Sequence, residues 1–333
     1  MRSVASVIES VDRQKYSVLT LGITKSGRWL YYEGPTELIA SGQWESSGYI
    51  TPAIISPDRS HGGILLLGKD SVRTLKVDVA FGVLHGKNGE DGTIQGLLEL
   101  AGIPYVGCGV LSSALCMDKA VAHTVLTSAG IKKTGLCVVY PKQLSDFERT
   151  EKQLCAQLGY PMFVKPANSG SSVGISRAAD RQQLLCALKA AFAHDDKAVV
   201  EQAVHGQEIE CSVIGNATAQ VAEVVGEIVA QGGFYCYDSK YTNDTAKLHI
   251  PARIDQQTAA KVREIAAKAY QVMGCRGFAR VDFFVKADGD IILSEINTIP
   301  GFTSISIFPK LFEVSGVPYT ELVTRLIELA LEK

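Results

Sequence analysis

No two cysteines in this sequence stand in a C-x-x-C arrangement, although the chain has eight: Cys108, Cys116, Cys137, Cys155, Cys186, Cys211, Cys236 and Cys275. Scattered in this way, they argue against a zinc site and give no disulfide framework. Most lie in apolar or helical context, as Cys155, Cys186 and Cys211 do, and read as reduced core thiols. An excess of one charge is missing too. With 33 Lys and Arg against 35 Asp and Glu, the net charge is −2. That gives no electrostatic reason to expect nucleic acid or an anionic membrane as partner. No apolar run reaches spanning length and no signal-peptide pattern is present, so the expected compartment is the cytoplasm. Internal repeats and low-complexity tracts are absent, which sets aside a solenoid or a disordered chain.

What remains is an ordinary globular composition, 46% apolar and 20% charged over 333 residues, long enough for two or three domains. Residues 2–11 read as a helix with Val4, Val7, Ile8 and Val11 on one face. Strands are expected at 16–24 and 27–32, then a loop-rich stretch at 33–60. Short apolar runs at 64–67 and 77–84 suit buried strands. A helix at 93–101, stopped by Gly102 and Pro104, leads to a buried strand at 105–106. Residues 111–129 read as one helix carrying Lys119. Ser145 and Glu148 have capping-box spacing for a helix to 158, and Asp180 opens another. Strands are expected at 134–140, 162–165, 198–202, 208–214 and 220–225. The stretch 231–249 has no clear period and suits a lid. Asp255 caps a helix to 273, and 319–331 closes the chain as an amphipathic helix. Helices alternating with strands indicate an α/β protein.

The stretch around which the chain is organised is 280–301, RVDFFVKADGDIILSEINTIPG. It reads as a β-hairpin of 278–285 and 291–296, with Asp288 and Gly289 as a two-residue turn. Counting outward from that turn places Asp282 opposite Glu295 and Arg280 opposite Asn297, all four on one face. Two carboxylates directly opposite each other repel. The arrangement makes sense when a divalent cation lies between them, and two carboxylates with an amide oxygen suit Mg²⁺. A solvated polar face is the plainer alternative. The Pro-Gly turn ending at Gly301 weighs against it, because it can bring backbone N–H groups close to a ligand.

Other stretches carry weaker signals. Residues 165–174, KPANSGSSVG, place Lys165 at a strand end before a Gly/Ser loop whose N–H and hydroxyl groups suit a polyphosphate. The lysine precedes the glycines, so this is not a Walker A loop, and it also reads as a surface turn. Glu201 and Glu208 flank a segment fit to meet an adenine edge and a ribose, yet by spacing alone they read as surface charges. His85 begins a glycine-rich loop at a strand end, where open α/β sheets bind ligands. Lys240 and Tyr241 lie in the expected lid.

Together these stretches resemble the D-alanine–D-alanine ligase family of the ATP-grasp enzymes. The resemblance runs from the first residues to about Leu331. It is carried by HGKNGEDGTIQGLLELAGIPYVG, SSALCMDK, KPANSGSSVG, the VVEQ and GQE pair, YDSKY, and RVDFF with SEINTIPGFTSISIFPKL. It implies an α/β fold with a Rossmann-like N-terminal domain (1–107) and a two-part ATP-grasp domain (108–200 and 201–333). The implied reaction phosphorylates one D-alanine with ATP and lets the amine of a second attack the acyl phosphate, for peptidoglycan precursor synthesis. By resemblance, Asp282, Glu295 and Asn297 hold two Mg²⁺ or Mn²⁺ ions, and Lys119 and Lys165 contact phosphate. Arg280 and the N–H of Gly301 stabilise charge at the acyl carbon. Glu201 and the backbone after it, through Val204, hold adenine, and Glu208 holds ribose. Ser171 and Tyr241 link the glycine loop to the lid, Ser172 joins the phosphate loop and Lys240 reaches phosphate. His85, Ser306 and Ile307 lie near the amino-acid substrates.

Relatives that use D-lactate or D-serine tend to differ in the lid and after the SIS stretch, often with an arginine at the position of Ile307, and with Tyr241 and Ile307 the resemblance points to D-alanine. It also implies a homodimer. One departure stands out. Family members begin with a further strand and a Gly-Gly-x-Ser-x-Glu-type segment, and this sequence opens within the first helix. The expectation is that the true start lies upstream. The alternatives are a D-alanine–D-lactate or D-alanine–D-serine ligase, or a nucleotide-binding relative that no longer catalyses.

Overall fold

Each apolar stripe in the N-terminal third finds a partner layer. The computed structural model of the protein describes residues 1–170, 174–229 and 247–332. Helix α1 (Arg2–Ser10) buries Ala5, Val7 and Ile8, as its 3.6-residue period requires. Then β1 (Thr20–Ile23) and β2 (Trp29–Tyr32) form a hairpin. The short helix α2 (Thr36–Ala40) follows, and Ile39 packs with Leu30, Tyr32 and Trp44. Strands β3 (Ile50–Ile55), β4 (Gly63–Leu67) and β5 (Val72–Lys76) complete a five-stranded antiparallel sheet in chain order. The stretch expected to be loop therefore holds both α2 and β3. Pro52 hid the strand, because proline cannot serve a ladder on both sides. Here it pairs only with β2, and the β4 ladder begins one residue later, at Ala53.

The run expected as a strand at 77–84 pairs only over β6 (Ala80–Phe81). Helix α3 (Thr93–Ala101) then leads to β7 (Tyr105–Val106), parallel to β6. Among the described residues this is the one parallel pair. The expected single helix at 111–129 is two, α4 (Val110–Met117) and α5 (Lys119–Ser128). Asp118 between them has extended backbone, and its carboxylate accepts from the N–H groups of Ala120 and Val121. An N-cap aspartate starts a helix rather than continuing one. Lys119 thereby becomes the first residue of α5.

A four-stranded antiparallel sheet follows, built from β8 (Leu136–Val139), β9 (Met162–Pro166), β10 (Ser176–Ala178) and β11 (Ala198–Gln202) in the order β10-β9-β11-β8. Helices α6 (Phe147–Gln157) and α7 (Arg181–Phe192) cover one face through Leu154, Leu184 and Leu188 against Val164 and Val200. The cap of α6 is Asp146, which accepts from Arg149 N–H, rather than Ser145. Alternation puts Lys165 and Glu201 on the opposite face.

The last sheet has β12 (Gln207–Gly215), β13 (Gln220–Val221), β14 (Gly226–Val229), β15 (Lys247–His249), β16 (Gly277–Val285) and β17 (Ile291–Asn297). Their order is β15-β14-β12-β16-β17, with β13 beside β12. Helix α8 (Gln256–Val272), capped by Asp255, packs on one face around Val262, Ala266 and Tyr270. Helices α9 (Ile307–Val314) and α10 (Tyr319–Leu331) cover one end of the other face, against Ile214 and Phe278. The rest of that face carries Glu208, Glu210, Arg280 and Asp282.

The thiols divide. Cys108, Cys211 and Cys275 are buried, but Cys186 is exposed on α7, so it is not the core thiol its apolar neighbours suggest. Among the described residues, no helix is long and apolar enough to cross a membrane.

Candidate active site

The hairpin delivers the expected register by an unexpected route. Asp282 faces Glu295 and Arg280 faces Asn297. The turn is not a two-residue loop, however. Lys286 N–H donates to Asp290 O at 2.9 Å, and Val285 pairs with Ile291, one residue earlier than a two-residue turn gives. Gly289, at φ +85°, supplies the left-handed residue that such a three-residue loop needs. A β-bulge between Phe283 and Asp282 then restores the count, since Phe283 pairs with Leu293 and Asp282 with Glu295, leaving Ser294 as the extra residue.

Glu210 lies opposite Asp282 on the other side, across β12 and β16. Three carboxylates therefore form a row over three adjacent strands. Arg280 binds two of them. Its Nε and Nη2 each lie 2.7 Å from Asp282, and Nε lies 2.9 Å from Glu210 Oε2. Asn297 Nδ2 donates to Asp282 Oδ2 at 2.8 Å. Burial alone would disfavour the Arg280 charge, but Asp282 and Glu210 outweigh it and hold the guanidinium well above its ordinary pKa. Glu210 was not legible in the sequence, because only the pairing of β12 with β16 brings it here.

Lysines project toward this row from the four-stranded sheet and its helix. Lys165 Nζ lies 2.6 Å from Glu201 Oε2, with both side chains largely buried. Burial opposes both charges, yet their mutual attraction prevails, raising the Lys165 pKa and lowering that of Glu201. Lys119 Nζ donates to Ser169 O at 2.5 Å, at the start of the Gly/Ser loop. Burial lowers its pKa, against the pull of Glu295. The Asp118 carboxylate that caps α5 also meets Lys197 Nζ, and Lys119 N–H donates to Ala167 O at 3.0 Å, which fixes the base of the lysine. Lys133 is a third lysine, which no local pattern marks. Burial brings its pKa down to about 8 despite Glu201, and its Nζ lies 2.6 Å from Ser294 O.

The glycine-rich loop after β6 closes the third side. His85 Nδ1 lies 3.0 Å from Ile299 O. A carbonyl only accepts, so Nδ1 carries the hydrogen and Nε2 of the neutral ring is an acceptor. Burial lowers the His85 pKa. Glu90, which sequence reading missed, accepts from Gly86 N–H at 2.5 Å, and burial lifts its pKa to about 7. Ser306 Oγ accepts from Thr303 N–H at 3.0 Å, and a Cβ at Gly301 would come within 3.2 Å of it. Ile307 is only 6% exposed and packs beside Phe308 and Leu311, against Gly226. It belongs to the apolar layer rather than to an open cleft. Val204 and Glu208 are half-buried, Val204 in the segment from β11 to β12 and Glu208 beside Phe284. Ser171, Ser172, Lys240 and Tyr241 lie outside the described residues. A cavity of about 410 Å³ between α5 and β8, bordered by His123 and Lys197, contains none of the predicted groups.

Hard oxygen donors on one sheet and lysines on the facing elements make an arrangement suited to an anion and a divalent cation held together. Two such antiparallel sheets, with a loop-and-lysine side and a carboxylate side, define the ATP-grasp class of enzyme. The chain matches the family described as D-ala D-ala ligase N-terminus over residues 1–108 and D-ala D-ala ligase C-terminus over residues 125–328. It is 46% identical to a D-alanine–D-alanine ligase of Caldicellulosiruptor bescii, across 99% of this chain and 90% of that one. It is 42% identical to D-alanine–D-alanine ligase A of Salmonella typhimurium, across 100% of this chain and 92% of the relative. Among solved structures, it superposes on the VanG D-Ala:D-Ser ligase of Enterococcus faecalis with a TM-score of 0.90 and 41% identity, covering 99% and 94% of the two chains. The D-alanine-D-alanine ligase of Coxiella burnetii gives a TM-score of 0.81 and 32% identity, covering 99% and 90%. The chain belongs to the D-alanine–D-alanine ligase family.

Proposed function

We propose that the protein uses ATP to join two D-alanines into D-alanyl-D-alanine through an acyl phosphate, for peptidoglycan precursor synthesis. The observation that carries this reading is the opposed pair Asp282 and Glu295 beside Arg280, in a chain 46% identical to a D-alanine–D-alanine ligase over 99% of its length. Asp282, Glu295 and Asn297 supply hard oxygens, which fits Mg²⁺ or Mn²⁺, one or two ions held together with the nucleotide. Bound there, such an ion neutralises phosphate charge and orients the transferred group.

The protein's own groups do the rest. Lys119 and Lys165 meet the phosphates. Glu201 and the backbone to Val204 hold adenine, and Glu208 holds ribose. Arg280 and the Gly301 N–H stabilise charge that develops on the acyl carbon's oxygen. When Asp282 is taken up by a cation, Glu210 still holds Arg280 in place, because the same Nε reaches both acids. His85 Nε2, left as an acceptor, and Ser306 border the amino acids. Ser171, Ser172, Lys240 and Tyr241 complete the proposed site. Excluding water protects the acyl phosphate.

A three-domain division at 107 and 200, a cytoplasmic location and a homodimer belong to the same reading. Leu100 and Leu111, exposed to 62% and 71%, give a dimer contact apolar surface, and light scattering tests it. The similarity to a D-Ala:D-Ser ligase makes D-serine the second acceptor to examine. The test is phosphate release with ATP, Mg²⁺ and D-alanine, followed by product identification with D-serine and D-lactate as competing acceptors. D-alanyl-D-alanine as the main product supports the proposal. ATP binding without any dipeptide would overturn it in favour of a silent relative.

A further inference from the structure

Strand β17 is the edge of its sheet, and beside its β-bulge one dipeptide of the segment between α5 and β8 takes two of its outward backbone groups. Leu293 N–H donates to Lys132 O at 3.0 Å, and Lys133 Nζ donates to Ser294 O at 2.6 Å. Lys132 Nζ adds an ion pair at 2.6 Å to Oδ2 of Asp290, the residue just before the same strand begins. The dipeptide is itself anchored. Ile131 is buried and its N–H closes the end of α5 on Leu126 O at 3.0 Å, while Thr134 Oγ1 donates to Gln202 O at 3.1 Å. Ser294 is the residue whose insertion brings Glu295 opposite Asp282.

We propose that Lys133 is a positioning residue, which clamps the bulge from the neighbouring sheet and so fixes the Glu295 carboxylate for a divalent cation. The role rests on the metal reading given above. A water molecule could satisfy a bulge carbonyl at little cost. A lysine here instead accepts burial and the repulsion of Lys165. The clamp also ties the bulge to the segment that runs into β8, so cation geometry on one sheet depends on the placing of the other. Hydrogen-bonded supports of this kind change metal affinity by about 10–100-fold when removed.

The test uses the full chain with Lys133→Met, which keeps the stem, Lys133→Gln, and Lys133→Arg, which keeps the charge. Free Mn²⁺ is followed by electron paramagnetic resonance as it is titrated into each protein saturated with ADP, alongside metal-free ADP affinity and the thermal midpoint. The expected result is Mn²⁺ affinity about tenfold weaker in the Met and Gln variants and restored to within about threefold by Arg, with metal-free ADP affinity unchanged. Should the Met variant fail to fold, the Gln and Arg variants carry the same readout. Wild-type Mn²⁺ affinity in the Met or Gln variant would overturn the role of Lys133. Equal losses of Mn²⁺ affinity, metal-free ADP affinity and thermal midpoint would do the same, since they mark general loosening. Failure of the wild-type ADP complex to bind Mn²⁺ would instead sink the metal reading, and the proposal with it.

Discussion

Two charged clusters occupy the same sheet and are built on opposite principles. Toward the β15 edge, Glu227 on β14 is buried and met by Arg253 Nε at 2.9 Å, Arg253 Nη2 at 2.8 Å, Arg253 N–H at 3.1 Å and Gln207 Nε2 at 3.2 Å. One acid is surrounded by donors, and its pKa falls to about 2, chiefly through the Arg253 side chain. In the cleft, Glu210, Asp282 and Glu295 line up across three strands with Arg280 as the cation in their midst. Glu90 adds a fourth carboxyl, pushed up to about 7 by burial. The edge cluster serves the fold. The cleft cluster sets acids opposite each other across adjacent strands around one arginine, where their mutual repulsion opposes the fold and favours a bound cation. Sites of this second kind are where function is expected.

The largest effect that would break this contrast is on catalysis. Asp282→Asn should reduce dipeptide synthesis by about 10³-fold, since Asp282 is a metal ligand in the proposed reading and such a ligand contributes several kcal/mol of transition-state stabilisation. Its thermal midpoint should fall by less than that of a simple broken ion pair, because Glu210 still pairs with Arg280 and the repulsion between Asp282 and Glu295 is relieved. Phosphate release and differential scanning calorimetry measure the two sides.

Lys165→Met comes next. It strands buried Glu201 and should cost about 3 kcal/mol of stability. Adding Glu201→Gln should recover most of that stability without recovering ATP affinity, which urea titration and equilibrium dialysis separate.

Glu227→Gln tests the edge cluster. The wild-type carboxyl has a depressed pKa, so its contribution is present above the ordinary value of 4.5 and is lost as pH falls toward 2. Neutralising it should cost about 2 kcal/mol at pH 7, less than the full shift implies because Arg253 is partly exposed. The gap to wild type should close as pH approaches 2, with turnover at pH 7 within twofold of normal.

Glu90→Gln should give the smallest effect, of opposite sign. Its raised pKa means that wild type loses stability as pH climbs from 4.5 to about 7. The variant should therefore gain on wild type by about 1 kcal/mol between pH 5 and pH 8, read from urea midpoints.

Much of this was legible in the sequence, and the gaps have physical causes. The helix at 93–101 and the strands at 105–106 and 198–202 follow from period and punctuation alone. The break at Asp118 does not, because apolar residues continue on both sides and only the cap geometry reveals two helices. Strand β5, VRTLK, is an exposed edge without alternation to mark it. At the hairpin, a shorter pairing path at the turn and a bulge at Ser294 offset each other, so counting from a two-residue turn still found Asp282 opposite Glu295. Glu210 and Lys133 depend on contacts 72 and 161 residues distant, with Asp282 and Ser294, and no local pattern records them.

The most direct test of the contrast is the thermal midpoint of Glu295→Gln, with and without Mg²⁺ and ADP. If the cleft acids are kept for a cation, the variant is at least as stable as wild type without ligand and loses most of the Mg²⁺-dependent rise. A variant that melts lower without ligand, yet gains the full rise with Mg²⁺ and ADP, would contradict the account.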